Sequence, residues 1–273
     1  MLNKLSLTLA VCAALLAGCG QSADKNANAP AASQAADRPV YNFGTEAVYP
    51  PFQFLDEKGR VTGFEPDVLR AVAKEENFDV ELKHYIRNKW AESLNKQEFD
   101  GWSSAFYSNA DYSQAAHASK PFIDTVRIIV SMPDNEQTKN ITEIGHLKGK
   151  KIAVSKYYGQ KMIDLAASIA GSHENVMVTD SFYLSARELF NNQVNGVLGA
   201  SYVLGYYEQQ ANKNHIKTKA IDVPSEPKRE VVFLVGKHHP ELLEKINRGI
   251  DKIKANGKYQ AIENKWFGQS THR

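Results

Sequence analysis

The sequence predicts an α/β protein built as two lobes with a cleft between them. Strand and helix patterns alternate from residue 40 onward and start a second, similar cycle at residue 151. Two polar stretches, 133–142 and 224–229, interrupt that alternation and read as connections between lobes. The length of 273 residues suits one large domain or two lobes of ordinary size, and 42% hydrophobic with 23% charged residues is a folded composition.

The elements follow in order. Residues 40–45 read as a strand, and 46–51 turn on Tyr49-Pro50-Pro51. Residues 52–55 and 61–64 flank Asp56-Glu57-Lys58-Gly59, a hairpin signal. Pro66 suits the first turn of a helix with apolar Val68, Leu69 and Val72. A strand at 80–85, a short helix at 89–97 and a strand at 101–106 complete the first cycle, which argues for a largely parallel sheet. The second cycle has strands at 151–154, 176–178 and 196–200 and helices at 160–170, 184–191 and 203–210. A strand at 231–235 precedes the last long helix, which Pro240 opens and Gly257 ends, with Leu242, Leu243, Ile246, Ile250 and Ile253 on one face.

The chain begins with an address. Lys4 precedes an apolar run, residues 5–17, that is too short for a bilayer span of roughly 20 residues and fits a secretory signal. Leu16-Ala17-Gly18-Cys19 resembles the bacterial lipobox, in which the cysteine is lipidated after cleavage; the other reading is an ordinary signal peptide with an incidental cysteine. Residues 1–18 are thus expected to be a signal peptide. Residues 19–39, with lipidated Cys19 followed by Ala, Asn, Ser, Gln and Pro, form a flexible tether. The expected location is the periplasm or cell surface, at a bacterial membrane.

Several functions find no support. A net charge of +2 without a basic run gives no reason to expect nucleic acid. The two cysteines, both near the N-terminus, make neither a disulfide framework nor a thiolate metal site. None of the eight histidines forms a metal-binding spacing, and His238-His239 falls in a loop before a helix, so no metal site is expected. No nucleophile elbow, phosphate loop or dinucleotide fingerprint is present, and no cofactor is expected.

Gly44-Thr45-Glu46-Ala47-Val48-Tyr49-Pro50-Pro51-Phe52, with Gly63-Phe64-Glu65-Pro66-Asp67-Val68, resembles the opening of the polar-amino-acid family (family 3) of extracytoplasmic solute-binding proteins of bacterial ABC importers. The resemblance continues through Trp90-Ala91-Glu92-Ser93-Leu94, Lys120-Pro121-Phe122, Leu147-Lys148-Gly149-Lys150-Lys151-Ile152-Ala153-Val154 and Lys265-Trp266-Phe267-Gly268. It implies a two-lobed periplasmic-binding-protein clamshell (type II) with two chain crossovers at the hinge. Lobe 1 would comprise 40–130 and 229–273, and lobe 2 would be 131–228. It further implies a monomeric, lipid-anchored receptor that closes on an amino acid or related small polar solute and delivers it to an ABC permease, with no enzymatic activity. A sensor or surface lipoprotein on the same clamshell, or an extracytoplasmic enzyme on that scaffold, are the rival readings.

By that resemblance, Glu46 and Tyr49 face the ligand side chain, Trp90 packs on the ligand, and Ser104 contacts it. Each residue has a structural alternative: Trp90 as core, Tyr49 as a buttress of the turn. Three positions depart from the family pattern. Tyr112 stands where the carboxylate-clamping Arg is expected, Tyr158-Gly159 replaces the Thr pair, and Ala200 replaces the ammonium-binding carboxylate. Aromatics fill the gap: Trp102 and Phe106 by strand position belong to the core, whereas Tyr107, Tyr112, Tyr157, Tyr158 and Tyr202 are candidates to stack on a planar or cationic group. The expectation is a neutral or cationic ligand in an aromatic-lined cleft.

Overall fold

A computed structural model gives the fold and describes residues 38–268; the signal segment, Cys19 and nearly all of the tether lie outside the described residues. Strand β1 (Val40–Thr45) leads through β2 (Val48–Tyr49) into the hairpin β3 (Gln53–Leu55) and β4 (Val61–Thr62). Helix α1 (Phe64–Glu75) follows, with Pro66 in its first turn and Val68, Leu69 and Val72 fully buried. Then come β5 (Asp79–His84), α2 (Trp90–Asn95), β6 (Gly101–Tyr107), β7 (Ala116–Ala118) and β8 (Ile123–Val126). Next are β9 (Ile128–Pro133), β10 (Ile152–Ser155), α3 (Gln160–Ala170), β11 (Val176–Thr179), α4 (Phe182–Phe190), β12 (Gly196–Ala200), α5 (Ser201–Ala211) and β13 (Thr218–Asp222). The chain closes with β14 (Arg229–Gly236), α6 (Pro240–Ala255) and α7 (Lys258–Phe267).

These strands form two main sheets. The six-stranded one runs β5-β1-β6-β14-β7 with β8 also on β14, the five-stranded one runs β11-β10-β12-β9-β13, and β2-β3-β4 make a small third sheet. In each large sheet the βαβ strands are parallel, as alternation predicts, and the strands that return from the other half are antiparallel: β14 against β6, and β9 against β12. The sheets are therefore mixed. Strand β9 straddles the boundary expected at residue 130, and it pairs wholly within the second sheet. Crossing occurs earlier, at Arg127. The return passes Val223, whose N–H donates to Ile128 O at 2.9 Å, and Arg127 Nη1 donates to Asp222 Oδ1 at 2.7 Å, so the two crossings bond to each other.

Packing explains the helices. The predicted apolar face of α6 puts Leu242, Ile246, Ile250 and Ile253 in the core against α1. Gly249 makes the contact close, since a Cβ there would meet Val72 Cγ1 at 2.6 Å. Helix α3 has the predicted bounds and ends at Gly171, whose φ of 81° is the left-handed conformation glycine adopts without cost. Phe122 stacks on Phe233 at 4.2 Å between ring centroids, joining β14 to the segment before β8. Helix α7 has no sequence signature beyond its last residues. It is held by buried Phe267, 4.9 Å from the Phe64 ring, and by Trp266 Nε1, which donates to Asp67 Oδ2 at 2.8 Å.

Candidate functional site

Parallel strands of both large sheets bring their carboxyl ends to one cleft of about 450 Å³, the volume of a small-solute site. Glu46 follows β1, Arg87 follows β5, Ser104, Ala105 and Tyr107 lie at the end of β6, Tyr157 and Tyr158 follow β10, Phe182 follows β11, and Ala200 ends β12.

On the first half, β6 is kinked at Ala105, whose φ of 50° is unusual for a residue with a side chain. Glu65, on α1 and 1% exposed, holds the kink: its carboxylate accepts from Ala105 N–H at 2.9 Å and from Ser103 Oγ at 2.7 Å. Burial raises the Glu65 pKa to about 7, against the lowering effect of those two bonds and of the nearby Arg87 charge. The kink turns Ser104 toward the cleft. Its hydroxyl accepts from Glu46 N–H at 3.3 Å and from Gln53 Nε2 at 3.4 Å, and its carbonyl accepts from Arg87 Nε at 3.1 Å. The Arg87 guanidinium lies 4.5 Å from the Phe106 ring centroid and has no ion-pair partner among the described residues. Gln53 is buried, and its Oε1 likewise has no partner among them.

From the second half, the Tyr158 hydroxyl accepts the Ala200 N–H at 2.8 Å. Burial pushes the Tyr158 and Tyr49 phenols well above their ordinary pKa of 10, so they are neutral hydrogen-bonding groups. Tyr49 also stacks on Phe52 at 5.4 Å and meets the Phe182 ring at 5.3 Å. Phe182 packs against Tyr158 and Tyr207, and burial raises the Tyr207 pKa to about 12. At the cleft edge Glu226, with its side chain 6% exposed, pairs with Arg229 at 2.6 Å and Lys161 at 3.2 Å.

Of the residues expected to bind ligand, Glu46, Tyr49, Ser104, Tyr107, Tyr157 and Tyr158 line this cleft. Trp90, Tyr112 and Tyr202 do not. Trp90 and Tyr112 meet edge-on at 5.5 Å and both pack on Phe106, in a cluster with Trp102 on the other face of β6. The Tyr112 hydroxyl donates to Tyr107 O at 2.8 Å. Tyr202 is buried against Phe267 at 4.7 Å and donates to Glu263 at 3.3 Å. Gln53, Arg87, Phe182, Lys161 and Arg229 also line the cleft and were not among the residues expected there. Arg87 and Phe182 carried a usable signal, since each follows the carboxyl end of a parallel strand by no more than a few residues.

The charge balance also differs from the expectation, because Arg87, Lys161 and Arg229 add cations to a cleft in which Glu46 was the one charge foreseen. Arg87 supplies a guanidinium from β5–α2 that the sequence lacks at position 112. Tyr158 supplies the hydrogen-bonding group opposite Ala200, where the carboxylate is absent.

The chain resembles proteins of known role. It is 26% identical over 276 residues to a probable histidine-binding protein of Neisseria gonorrhoeae, covering 98% of this chain and 97% of that one. It is 23% identical over 234 residues to ABC transporter arginine-binding protein 1 of Escherichia coli K12, covering 84% and 90%. The fold matches that of an ancestral cationic amino acid solute-binding protein with a TM-score of 0.70 at 23% identity, covering 84% of this chain and 95% of that one. The model of the bacterial extracellular solute-binding proteins, family 3, matches residues 41–269. Nearly the whole described body lies inside that match, and the chain belongs to this family, with its two-lobed type II architecture.

Proposed function

We propose that this protein is the amino-acid receptor of an ABC importer, held at the membrane by a lipid on Cys19, and that its ligand is a zwitterion with an uncharged side chain. The observation that carries the ligand assignment is the Arg87 guanidinium, which faces the cleft without a carboxylate partner among the described residues and suits a ligand carboxylate. The unpartnered Gln53 Oε1 and the Glu46 carboxylate suit the ammonium group. Tyr49, Tyr107, Tyr157, Tyr158 and Phe182 then surround the side chain. Against a cationic side chain stand Lys161 and Arg229, whose two charges share the single carboxylate Glu226. The proposed lobes are the six-stranded sheet with its small sheet, and the five-stranded sheet, closing by population shift when a solute touches both.

Calorimetric titration of ligand-stripped protein tests this with neutral, acidic and basic amino acids and with amines lacking the carboxylate. Neutral amino acids should bind tightest, and amines that lack the carboxylate should bind at least about tenfold more weakly. Equal binding of a decarboxylated amine would overturn the assignment to Arg87. Incorporation of labelled fatty acid that is abolished by Cys19→Ala tests the anchor.

A further inference from the structure

The first sheet has a second cluster of chemistry at its opposite end. Strand β6 begins just after Asp100 and reaches the cleft at Tyr107, whereas the antiparallel β14 begins at the cleft with Arg229 and ends at Gly236, just before His238 and His239. Asp100, His238 and His239 converge there, each offering a ligand atom within 4.8 Å of the others. We propose that they form a binding site for a divalent first-row transition metal of the zinc class. The residues lie 139 positions apart in the chain at the Asp100–His239 contact, so no sequence spacing reveals them.

The supporting contacts are those that orient metal ligands. Asp100 Oδ1 is 2.6 Å from His239 Nε2, while its other oxygen accepts the Asn42 N–H at 2.7 Å. The Asp100 main chain is bonded on both sides, its N–H to Asn42 O and its carbonyl to the Gly236 N–H, each at 2.8 Å. His239 Nδ1 lies 3.0 Å from Glu241 Oε1, and the Tyr41 ring meets the imidazole edge at 5.6 Å. A carboxylate on one nitrogen fixes the ring and leaves Nε2 to face an ion, the arrangement found behind ligating histidines. A metal ion would take the place of the direct contact between Nε2 and Asp100. Gly236 admits the third ligand: a Cβ there would meet His238 Cε1 at 2.6 Å, and the two imidazole centroids are 4.3 Å apart.

Two imidazoles and one carboxylate select the zinc class over calcium or magnesium, which take oxygen ligands. Metal–ligand distances near 2 Å place the donors about 3.3 Å from one another around a tetrahedral ion, so the Asp100–His239 pair opens from its present 2.6 Å while rotation of the His238 ring brings its nitrogen in. The Asp100 and His239 side chains are 20% and 25% exposed, which leaves the site open to an entering ion and to a water as fourth ligand.

The test is calorimetric titration of the chelator-treated full-length protein with Zn²⁺ alone, with a thermal melt run in parallel. One ion per chain should bind, and the melting midpoint should rise with ion concentration. His238→Ala and Asp100→Asn should each weaken binding by at least about tenfold, and Glu241→Gln, which touches no ion, should weaken it by about tenfold. His173→Ala, on a different surface, should leave it unchanged. The Asp100→Asn side chain still accepts the Asn42 N–H, so that variant reports the ligand even if His238→Ala folds poorly. Absence of saturable uptake, or stoichiometric uptake that survives both substitutions, would overturn the assignment. Amino-acid binding in the cleft is measured separately, so failure of one reading leaves the other standing.

Discussion

Glu65 accepts the Ala105 N–H at 2.9 Å from beneath β6, and this bond fixes a residue whose φ is 50°. The same carboxylate takes the Ser103 hydroxyl, so a buried acid on α1 shapes the stretch of strand that presents Ser104 to the cleft. A left-handed backbone at alanine is costly by about 1 kcal/mol, and the paired bonds offset it.

A pH dependence of stability follows from Glu65. Its pKa rises from 4.5 in the unfolded chain to about 7 in the folded one, so between these values the native state holds the extra proton. The contribution is full below pH 4.5 and is lost as pH rises through about 7, on the order of 3 kcal/mol in total. Urea denaturation across that interval should show falling stability from this group. Glu65→Gln keeps an acceptor for Ala105 and should flatten the slope; an unchanged slope would assign it to another group.

Tyr158→Phe and Tyr49→Phe should differ in cost. The first leaves the buried Ala200 N–H without its acceptor and should destabilise by about 1–3 kcal/mol. Tyr49→Phe keeps the ring packed on Phe52 and Phe182 and should cost less, at most about 1 kcal/mol. Denaturant midpoints of the two variants decide the order.

Arg87 is expected to govern affinity. Arg87→Met should weaken zwitterion binding by about 10- to 100-fold, the worth of charge-assisted hydrogen bonds. Arg87→Lys keeps the charge but loses the planar fork and should recover only part of it. Titration calorimetry at fixed ionic strength is the measurement, and an Arg87→Met variant with full affinity would remove Arg87 from the site.

Trp90→Ala should act on stability alone. The indole packs on Phe106 at 5.9 Å and on Tyr112, away from the cleft, so its loss should cost about 3 kcal/mol. Ligand affinity of the folded fraction should change less than about twofold.

Periodicity carried much of this architecture. The bounds of α3 and the buried face of α6 follow from apolar spacing, because burial on one side is what that spacing encodes. The edge strand Thr218–Asp222 is half-exposed and polar, and α7 buries only Phe267, so neither leaves a clear pattern. Strand β9 is buried at every position, and such a run announces a strand without saying which sheet will take it. In the cleft, tyrosines stood out by their number, whereas Arg87 and Arg229 looked like ordinary surface cations until the fold gave them neighbours. Trp90, Tyr112 and Tyr202 misled for the converse reason: an aromatic suits a core as well as a binding wall.

The bond between Arg127 and Asp222 has a mechanical consequence. It joins the two places where the chain passes between sheets, and the Val223–Ile128 bond laces the same strands together. Laced at these two bonds, the connectors form one ribbon, so a displacement of either would be transmitted to the other.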